Sequence, residues 1–124
     1  MSRDILLFLE DIEASCVKIA TFIEGLSPVG FREDARTFDA VCRNLEIIGE
    51  AAKRVPEDVR LRHPEIEWRR ISGLRDVLAH GYFALEHEML WGLASRSAPQ
   101  LLDRIRRVIA DERSRTASRS QASP

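Results

Sequence analysis

Apolar residues recur at a helical period along most of the chain, and this pattern predicts its secondary structure. One apolar stripe, with spacings of three and four residues, runs through a predicted first helix from about Asp4 to Glu24. A second stripe runs from about Arg32 to Arg54. No segment alternates apolar and polar residues as a half-buried strand would, so the pattern predicts an all-α protein. The residues on the stripes are Ile5, Leu6, Leu9, Ile12, Cys16, Ile19, Ala20 and Ile23 in the first helix, and Ala35, Phe38, Cys42, Leu45, Ile48 and Ala52 in the second.

Glycine and proline divide the rest of the chain into shorter helices. The segment Gly25–Gly30 is typical of a loop. Pro56 suits the first turn of a short helix, and a further helix is predicted from about Glu65 to His80. The last helix starts near Glu86, and Pro99 should kink or split it.

These elements predict a four- to five-helix up-and-down bundle over residues 1–112, because long helices joined by a short loop pack as an antiparallel hairpin. Residues 113–124 are polar and lack apolar anchors, so we expect a disordered tail. The second helix also carries Val41, Ile47 and Ala51 outside its main stripe. These residues favour a second neighbour for that helix, either in its own bundle or in a partner of a symmetric homodimer.

The composition limits the classes of function. The chain has 124 residues, a length that suits one domain. Its formal net charge is −1, which does not suit a general polyanion-binding protein. No apolar run is long enough to span a membrane, and the N-terminus does not resemble a secretory signal. Cys16 and Cys42 lie in apolar helical patterns and are expected to be core residues in a reducing cytoplasm. Any contact with nucleic acid must come from a local basic patch.

The segment from Arg75 to Phe83 has the most chemical content. It contains a permanent cation, an imidazole at His80 and a phenol at Tyr82. Arginine binds phosphate oxygens, and histidine moves protons near neutral pH, so the group could bind and cut a phosphodiester. The same residues would also suit an ordinary helix C-terminus, with Gly81 as the cap residue. Two other histidines, His63 and His87, are expected at the surface, and Trp68 and Trp91 are expected to be packing anchors.

Arg75, four further residues, His80 and then Tyr82 resemble the R-x4-H-x-Y signature of the HepT-like toxins, which belong to the HEPN superfamily (higher eukaryotes and prokaryotes nucleotide-binding domain). Residues 48–52, Ile-Gly-Glu-Ala-Ala, resemble the Gly-Glu-Ala segment of that family's second long helix. Residues 68–74 resemble its run into the arginine, and Trp91 falls where the family has a later tryptophan. The resemblance covers roughly residues 4–109.

The resemblance implies a dimeric helical bundle that cleaves RNA, with transfer RNA as the substrate class, and that needs no metal or cofactor. Arg75 would stabilise charge on the phosphorus, and His80 would act as general base or acid. Asp76 would orient one of these two side chains, or it is a solvated helix residue. Glu50 would support the site, through contact with Arg75 or through a structural role.

Helix geometry alone does not bring the two catalytic groups together. At about 100° per residue, Arg75 and His80 lie about 140° apart around a helix. Either the turn near Gly81 reorients His80, or residues of a dimer partner complete the site. The superfamily favours the second arrangement, with two motifs facing each other across one cleft.

Tyr82 either packs with Phe83 under the helix end or, as the resemblance implies, is the target of a partner. In the toxins that the chain resembles, a minimal nucleotidyltransferase antitoxin transfers AMP to this tyrosine, and the added phosphates would block a cleft that receives RNA phosphates. The resemblance therefore indicates a cytoplasmic toxin ribonuclease of a type VII-like toxin–antitoxin pair. The alternative is a non-catalytic HEPN module that binds nucleotide or serves as a scaffold for the transferase.

Overall fold

The computed structural model describes residues 2–79 and 83–122, and every regular element in these two ranges is helical. The all-α prediction is therefore confirmed. We number the α-helices in chain order, and a π-helical turn separates the last two. The elements are α1 (Ser2–Ile23), α2 (Pro28–Glu33), α3 (Ala35–Arg54), α4 (Glu57–Arg62), α5 (Trp68–Ser72), α6 (Leu74–Ala79), α7 (Phe83–Gly92), the π-helical turn (Leu93–Ser97) and α8 (Ala98–Ala122).

The three long helices form the centre of the bundle, and α1 packs against both α3 and α8. Two ion pairs show that α1 and α8 are antiparallel. The carboxylate of Glu10 lies 3.0 Å from Arg113, and that of Glu13 lies 3.1 Å from Arg106. The predicted stripe of α1 faces this interface, and its members Leu9, Ile12, Cys16 and Ile19 are all buried.

The second apolar side of α3 finds most of its contacts within the chain. Val41 and Ala51, which lie outside the main stripe, are both buried. Ile47 remains half-buried. Helix α3 therefore finds its second neighbour mainly within its own bundle, which was the first of the two interpretations of the pattern.

The predicted helix from Arg32 to Arg54 is divided in two at Asp34. The Asp34 carboxylate accepts hydrogen bonds from the Thr37 backbone N–H at 3.1 Å and from the Thr37 hydroxyl at 2.7 Å. These bonds hold the pKa of the Asp34 carboxyl below its usual value. Because a side-chain oxygen in this position satisfies the free N–H groups of a helix start, Asp34 caps α3 and ends α2.

The predicted helix from Glu65 to His80 is also divided. It begins only at Trp68, whose indole N–H donates to the His63 carbonyl oxygen at 2.9 Å. A second break falls at Gly73, between α5 and α6. The chain therefore reaches the motif through two short helices instead of one long one.

A π-helical turn divides the last predicted helix just before Pro99. Pro99 is the second residue of α8, a position where its missing N–H costs little. Within the π-helical turn, the Ser95 hydroxyl donates to the Trp91 carbonyl oxygen at 2.6 Å. Side-chain bonds of this kind compete with the regular helical ladder and accompany such irregular turns.

Helix α8 continues to Ala122, where the sequence pattern predicted a disordered tail over residues 113–124. Polar contacts accompany this extension. Arg115 pairs with Asp111 at 2.9 Å, one helical turn earlier, and the Thr116 hydroxyl donates to the Glu112 carbonyl oxygen at 3.0 Å. Charged pairs at this spacing stabilise a helix that has no apolar face to bury. None of the described helices is both long and apolar enough to cross a bilayer.

His63 is buried, with only 5% of its surface exposed, so the prediction of a surface histidine was wrong. Its Nε2 lies 2.8 Å from a carboxylate oxygen of Glu112. The guanidinium of Arg62 donates to both oxygens of the same carboxylate, at 2.8 and 3.2 Å. We call Arg62, His63 and Glu112 the α8 clamp, because they fasten α8 to the end of α4.

Glu112 is ionised in this environment. Burial opposes its ionisation, but hydrogen bonds from Arg62 and His63 outweigh that effect and lower the pKa of the Glu112 carboxyl below its ordinary value of 4.5. Because the pKa of the Glu112 carboxyl is lower in the folded state, the ionised carboxylate contributes its full stabilisation above pH 4.5, the ordinary value. It is lost as the pH falls through the lowered pKa.

We predict that Glu112→Ala lowers the free energy of unfolding by about 2 to 3 kcal/mol at neutral pH, because it leaves Arg62 without its buried partner. The difference from the native protein should shrink well below pH 4.5, where Glu112 becomes protonated. Urea unfolding at the two pH values measures both effects. Asp103→Ala is the matched control, since Asp103 forms only an exposed pair with Arg107 on the same helix. An equal loss of stability in both variants would contradict the clamp.

Candidate active site

The break at Gly73 starts a new helix at the motif. The carbonyl oxygen of Gly73 accepts hydrogen bonds from the Asp76 and Val77 backbone N–H groups at 3.1 and 3.2 Å, which begin α6. Arg75 thus lies in the first turn of this helix, and α6 ends at Ala79. The motif arginine therefore stands at the beginning of a short helix and not in the middle of a long one.

Part of the predicted site lies outside the described residues. This is true of His80 and Tyr82, which fall between the end of α6 and the start of α7, and of the side chain of Arg75. The predicted approach of the Arg75 guanidinium to the His80 imidazole therefore stays a prediction. The described members of the predicted site are Asp76 and Glu50.

Helix α6 is held against the bundle by its apolar side. It packs on α3 and α5, with Leu74 nearly buried and Leu78 in contact with the core. Asp76 and Val77, on other sides of the helix, are exposed, and the side chain of Val77 is 48% exposed. The core thus fixes the motif helix in place while its acidic residue faces solvent.

Glu50 lies on α3 and is half-buried. It lines a groove of about 340 Å³ between α1 and α3, together with Arg43, Arg54 and Asp11. The Arg54 guanidinium lies 5.9 Å from the centre of the Phe8 ring at one end of this groove. Glu50 thus lies among charges of both signs from α1 and α3, and α3 is also the helix against which α6 packs.

An aromatic cluster joins α2, α3 and α7. The Phe31 ring lies 5.8 Å from the Phe38 ring and 5.5 Å from the Trp91 ring. His87 was predicted at the surface, but it is half-buried, with its ring 4.4 Å from that of Phe38. The prediction that Trp91 is a packing anchor is confirmed, and the same is true of Trp68, which is only 6% exposed.

Two buried side-chain oxygens have no hydrogen-bond partner among the described residues, those of Ser72 at the end of α5 and of Asn44 on α3. Asn44 was not identified from the sequence. The Asn44 amide N–H donates to the Ala40 carbonyl oxygen at 2.9 Å. Asn44 directly precedes Leu45 of the apolar stripe, and this polar residue beside the stripe is the sequence signal that could have identified it.

One group in the described part of the chain has the spacing of metal ligands, namely His63, Asp111 and Glu112. Arginines already satisfy its carboxylates, because Arg62 binds Glu112 and Arg115 binds Asp111. The group is therefore part of an ion-pair network that includes the α8 clamp together with Asp111 and Arg115. Cations that occupy the carboxylate oxygens make it a poor site for a metal ion.

Neither cysteine is in a disulfide. Burial raises the pKa of the Cys16 thiol to about 12, so Cys16 is protonated and unreactive at neutral pH. Cys42 is half-buried on α3. Cys16 thus behaves as the core residue that the apolar pattern predicted.

The family sequence model described as "Ribonuclease HepT-like" matches residues 12–108. The chain therefore belongs to the HepT-like ribonuclease family. The matched range includes all the predicted site residues, namely Glu50, Arg75, Asp76, His80 and Tyr82. The protein is a ribonuclease by family.

Curated relatives support the same assignment. The chain is 35% identical to a predicted RNase of Methanocaldococcus jannaschii, over 88% of this chain and 90% of that protein. It is 32% identical to a predicted RNase of Caldanaerobacter subterraneus subsp. tengcongensis, over 86% and 95% of the two chains. It is 40% identical to the "Probable ribonuclease HepT" of Thermococcus cleftensis, over 76% and 86%. No solved structure matches this chain.

We predict that Asp76→Ala lowers the rate of RNA cleavage about tenfold or more, the effect of losing one hydrogen bond to a charged group. Because Asp76 is exposed, its removal should change the free energy of unfolding by less than about 1 kcal/mol. Single-turnover cleavage and urea unfolding of the same preparation measure the two effects separately. Cleavage at the native rate would make Asp76 a solvated helix residue.

Proposed function

We propose that this ribonuclease is the toxin of a toxin–antitoxin pair and that it cleaves RNA, with transfer RNA as the substrate class, without a metal ion. The observation that carries the proposal is the complete Arg75, His80 and Tyr82 motif inside the range matched by the family. A module used only as a scaffold would not need all three side chains. The placement of Arg75 in the first turn of an anchored helix also supports the proposal.

In the proposed mechanism the 2′-hydroxyl of the RNA is the nucleophile. A histidine side chain of the site, His80, removes its proton while the oxygen attacks the adjacent phosphorus. The bond from phosphorus to the 5′-oxygen breaks, and this leaving oxygen takes up a proton from the His80 imidazolium or from water. Arg75 stabilises the negative charge on the phosphoryl oxygens of the transition state. The products are a 2′,3′-cyclic phosphate and a 5′-hydroxyl end.

Asp76 and Glu50 have supporting roles in this proposal. Asp76 lies next to Arg75 in the first half of α6 and orients the catalytic groups. Glu50 lies on α3, the helix against which α6 packs. Both carboxylates would act on the position of the catalytic side chains and not on the substrate itself.

A homodimer is part of the proposal. Val77, within the motif, is exposed, and a partner at this face would cover it. Two copies of the motif would then line one cleft. Residues of the partner would then complete the site, although an ideal helix places Arg75 and His80 of one chain about 140° apart.

Regulation by a minimal nucleotidyltransferase antitoxin completes the proposal. The partner would transfer AMP from a nucleotide to the Tyr82 hydroxyl, forming a phosphodiester to the phenol oxygen. The phenol loses its proton, and the nucleotide loses pyrophosphate. Tyr82 is close to Arg75 in the sequence, so each phosphate added to it would bring negative charge to the motif. This charge would repel the RNA backbone, and the bulk of the AMP group would exclude it sterically.

We predict that unmodified protein cleaves total transfer RNA in the presence of EDTA, because the internal 2′-hydroxyl replaces a metal-bound nucleophile. The Arg75→Ala/His80→Ala double variant should lose all detectable cleavage. Denaturing gels of the RNA, together with detection of the cyclic phosphate end, measure the result. Expression of the native protein should be toxic, and Arg75→Ala alone should abolish the toxicity.

Mass spectrometry must first show that the protein carries no AMP on Tyr82. Cleavage that appears only when a divalent metal is added would contradict metal independence. No cleavage of any RNA by unmodified protein would favour the alternative of a non-catalytic HEPN module.

We predict that co-expression with an active nucleotidyltransferase of this type adds AMP mass to the native protein and suppresses its ribonuclease activity. Tyr82→Phe should show no gain in mass, because the acceptor oxygen is absent, and it should stay active in the presence of the partner. Intact mass and the EDTA cleavage assay provide the two measurements. Modification that persists in Tyr82→Phe would move the acceptor to another residue.

A further inference from the structure

A cavity of about 120 Å³ lies where α3, α5, α6 and the start of α8 meet. Its walls are mainly apolar, and they include Leu45 and Ile48 of α3, Ile71 of α5, Leu74 of α6 and Leu101 of α8. Sites for drug-sized molecules usually enclose about 300–1,000 Å³. This cavity is smaller, so it has room for one ring system and not for a larger ligand.

Two exposed arginines from different helices line the same cavity, Arg70 of α5 and Arg104 of α8. Arg70 lies 3.2 Å from a carboxylate oxygen of Glu67, in a pair whose side chains are 73% and 61% exposed. Arg104 donates to the Glu65 carbonyl oxygen at 3.3 Å. Exposed pairs contribute little free energy, and a guanidinium has five N–H donors. Both arginines can therefore bind phosphate oxygens without breaking a strong interaction.

The basic surface continues from Arg70 across α5. An open groove beside the cavity is lined by Arg60, Arg69 and Arg70, with Trp68 and Leu61 among its other residues. The side chain of Leu61 is 72% exposed, which is unusual for a large apolar residue. Arg70 borders both the groove and the cavity, so the two form one continuous surface.

The charge of this surface is positive. Its cavity and groove together are lined by four arginines and by two carboxylates, those of Glu57 and Glu67. The chain as a whole has a formal net charge of −1, whereas these side chains carry four positive charges against two negative ones. A ligand with negative charges along its length and flat apolar rings matches this surface.

The surface also adjoins the motif. Leu74 forms part of the cavity wall, and Arg75 is the next residue in the chain, in the first turn of α6. A chain of nucleotides that passes the motif would therefore meet the cavity within a short distance. Neither α5 nor the cavity belongs to the predicted site of Arg75, Asp76, His80, Tyr82 and Glu50.

We propose that this surface, beside the motif helix α6, is a subsite for single-stranded RNA, with one base in the apolar cavity and the adjacent phosphates on Arg70 and Arg104. The inference rests on the proposed ribonuclease function and adds the residues that hold the substrate. Single-stranded nucleic acid is bound in general by positive charges along its backbone and by side chains packed against its bases, and here aliphatic side chains would make the second contact. Arg70 and Arg104 are binding residues here and take no part in proton transfer.

The first experiment measures binding apart from cleavage. The probe is a fluorescein-labelled single-stranded RNA of mixed sequence, and the protein carries Arg75→Ala/His80→Ala so that it cannot cut. Adding Arg70→Ala/Arg104→Ala should weaken binding about tenfold per arginine. It should also reduce the slope of log affinity against log salt by about 1.4, since each phosphate contact to a single strand contributes about 0.7.

Arg106→Ala/Arg113→Ala in the same background is the matched control. It removes two arginines from α8, the helix of Arg104, but these two pair with Glu13 and Glu10 of α1 instead of lining the cavity. Its affinity and salt slope should equal those of the background protein. Equal losses of RNA affinity in the two double variants would mean that overall charge causes the effect, and would overturn the subsite.

A second variant tests the cavity itself. Ser97 is exposed and lines the cavity, so Ser97→Leu should narrow it from the rim without adding an aromatic ring on which a base could stack. We expect about a tenfold loss of RNA affinity, the range for one base contact, with an unchanged salt slope. Native affinity in Ser97→Leu, with circular dichroism showing an intact fold, would mean that no base occupies the cavity.

Cleavage separates this inference from the proposed function. In the active protein, Arg70→Ala/Arg104→Ala should raise KM with little change in kcat, because both contacts are made equally in the ground state and the transition state. If the native protein cleaves transfer RNA and the double variant binds and cleaves like it, the subsite is wrong while the ribonuclease mechanism stands. If unmodified protein does not cleave but binding depends on these arginines, the mechanism fails and the subsite stands. A change in oligomeric state with unchanged RNA binding would assign the surface to a protein contact and overturn the proposal.

Discussion

Burial of the apolar stripe of α1 between α3 and α8 is the interaction on which the rest of the structure depends. Leu9, Ile12 and Ile19 are completely buried in this interface, and burying such side chains is the largest favourable term in folding a small domain. Two ion pairs join α1 and α8 along this antiparallel interface, although exposed pairs contribute little free energy. Since α3 in turn supports α5 and α6, the position of the motif helix follows from this three-helix core.

Local hydrogen bonds divide the long apolar patterns at particular residues. Asp34 binds the N–H of Thr37 and starts α3, and the Trp68 indole binds the His63 carbonyl and delays the start of α5. The break at Gly73 has the greatest consequence for function, because it places Arg75 in the first turn of a separate helix. That helix rests on Leu74 and Leu78 and exposes Asp76. Asp76, a residue of the proposed site, is thus exposed to solvent on a helix whose apolar side packs on the core.

Helix α8 connects two regions that are far apart in the sequence. Arg104, in the second turn of α8, borders the cavity beside α5, and Glu112, just past the middle of α8, forms the α8 clamp with Arg62 and His63. Both contacts involve the end of α4 and the segment that follows it, which leads to the motif. Helix α8 therefore bears on the candidate RNA surface as well as on stability. A charged network of this kind also explains why the helix extends beyond its apolar residues.

The sequence by itself determined the all-α class, the stripes of the long helices and the family, because a helical period and a motif with fixed spacing are both properties of neighbours in the chain. It also placed Cys16, Trp68 and Trp91 correctly as packing residues. Only the tertiary structure decided where the helices break, that His63 is buried, that α8 continues beyond residue 112, and that Arg70 and Arg104 line one cavity. Each of these depends on groups that are distant in sequence, such as Glu112 against His63, or on a competition between local hydrogen bonds that periodicity does not register.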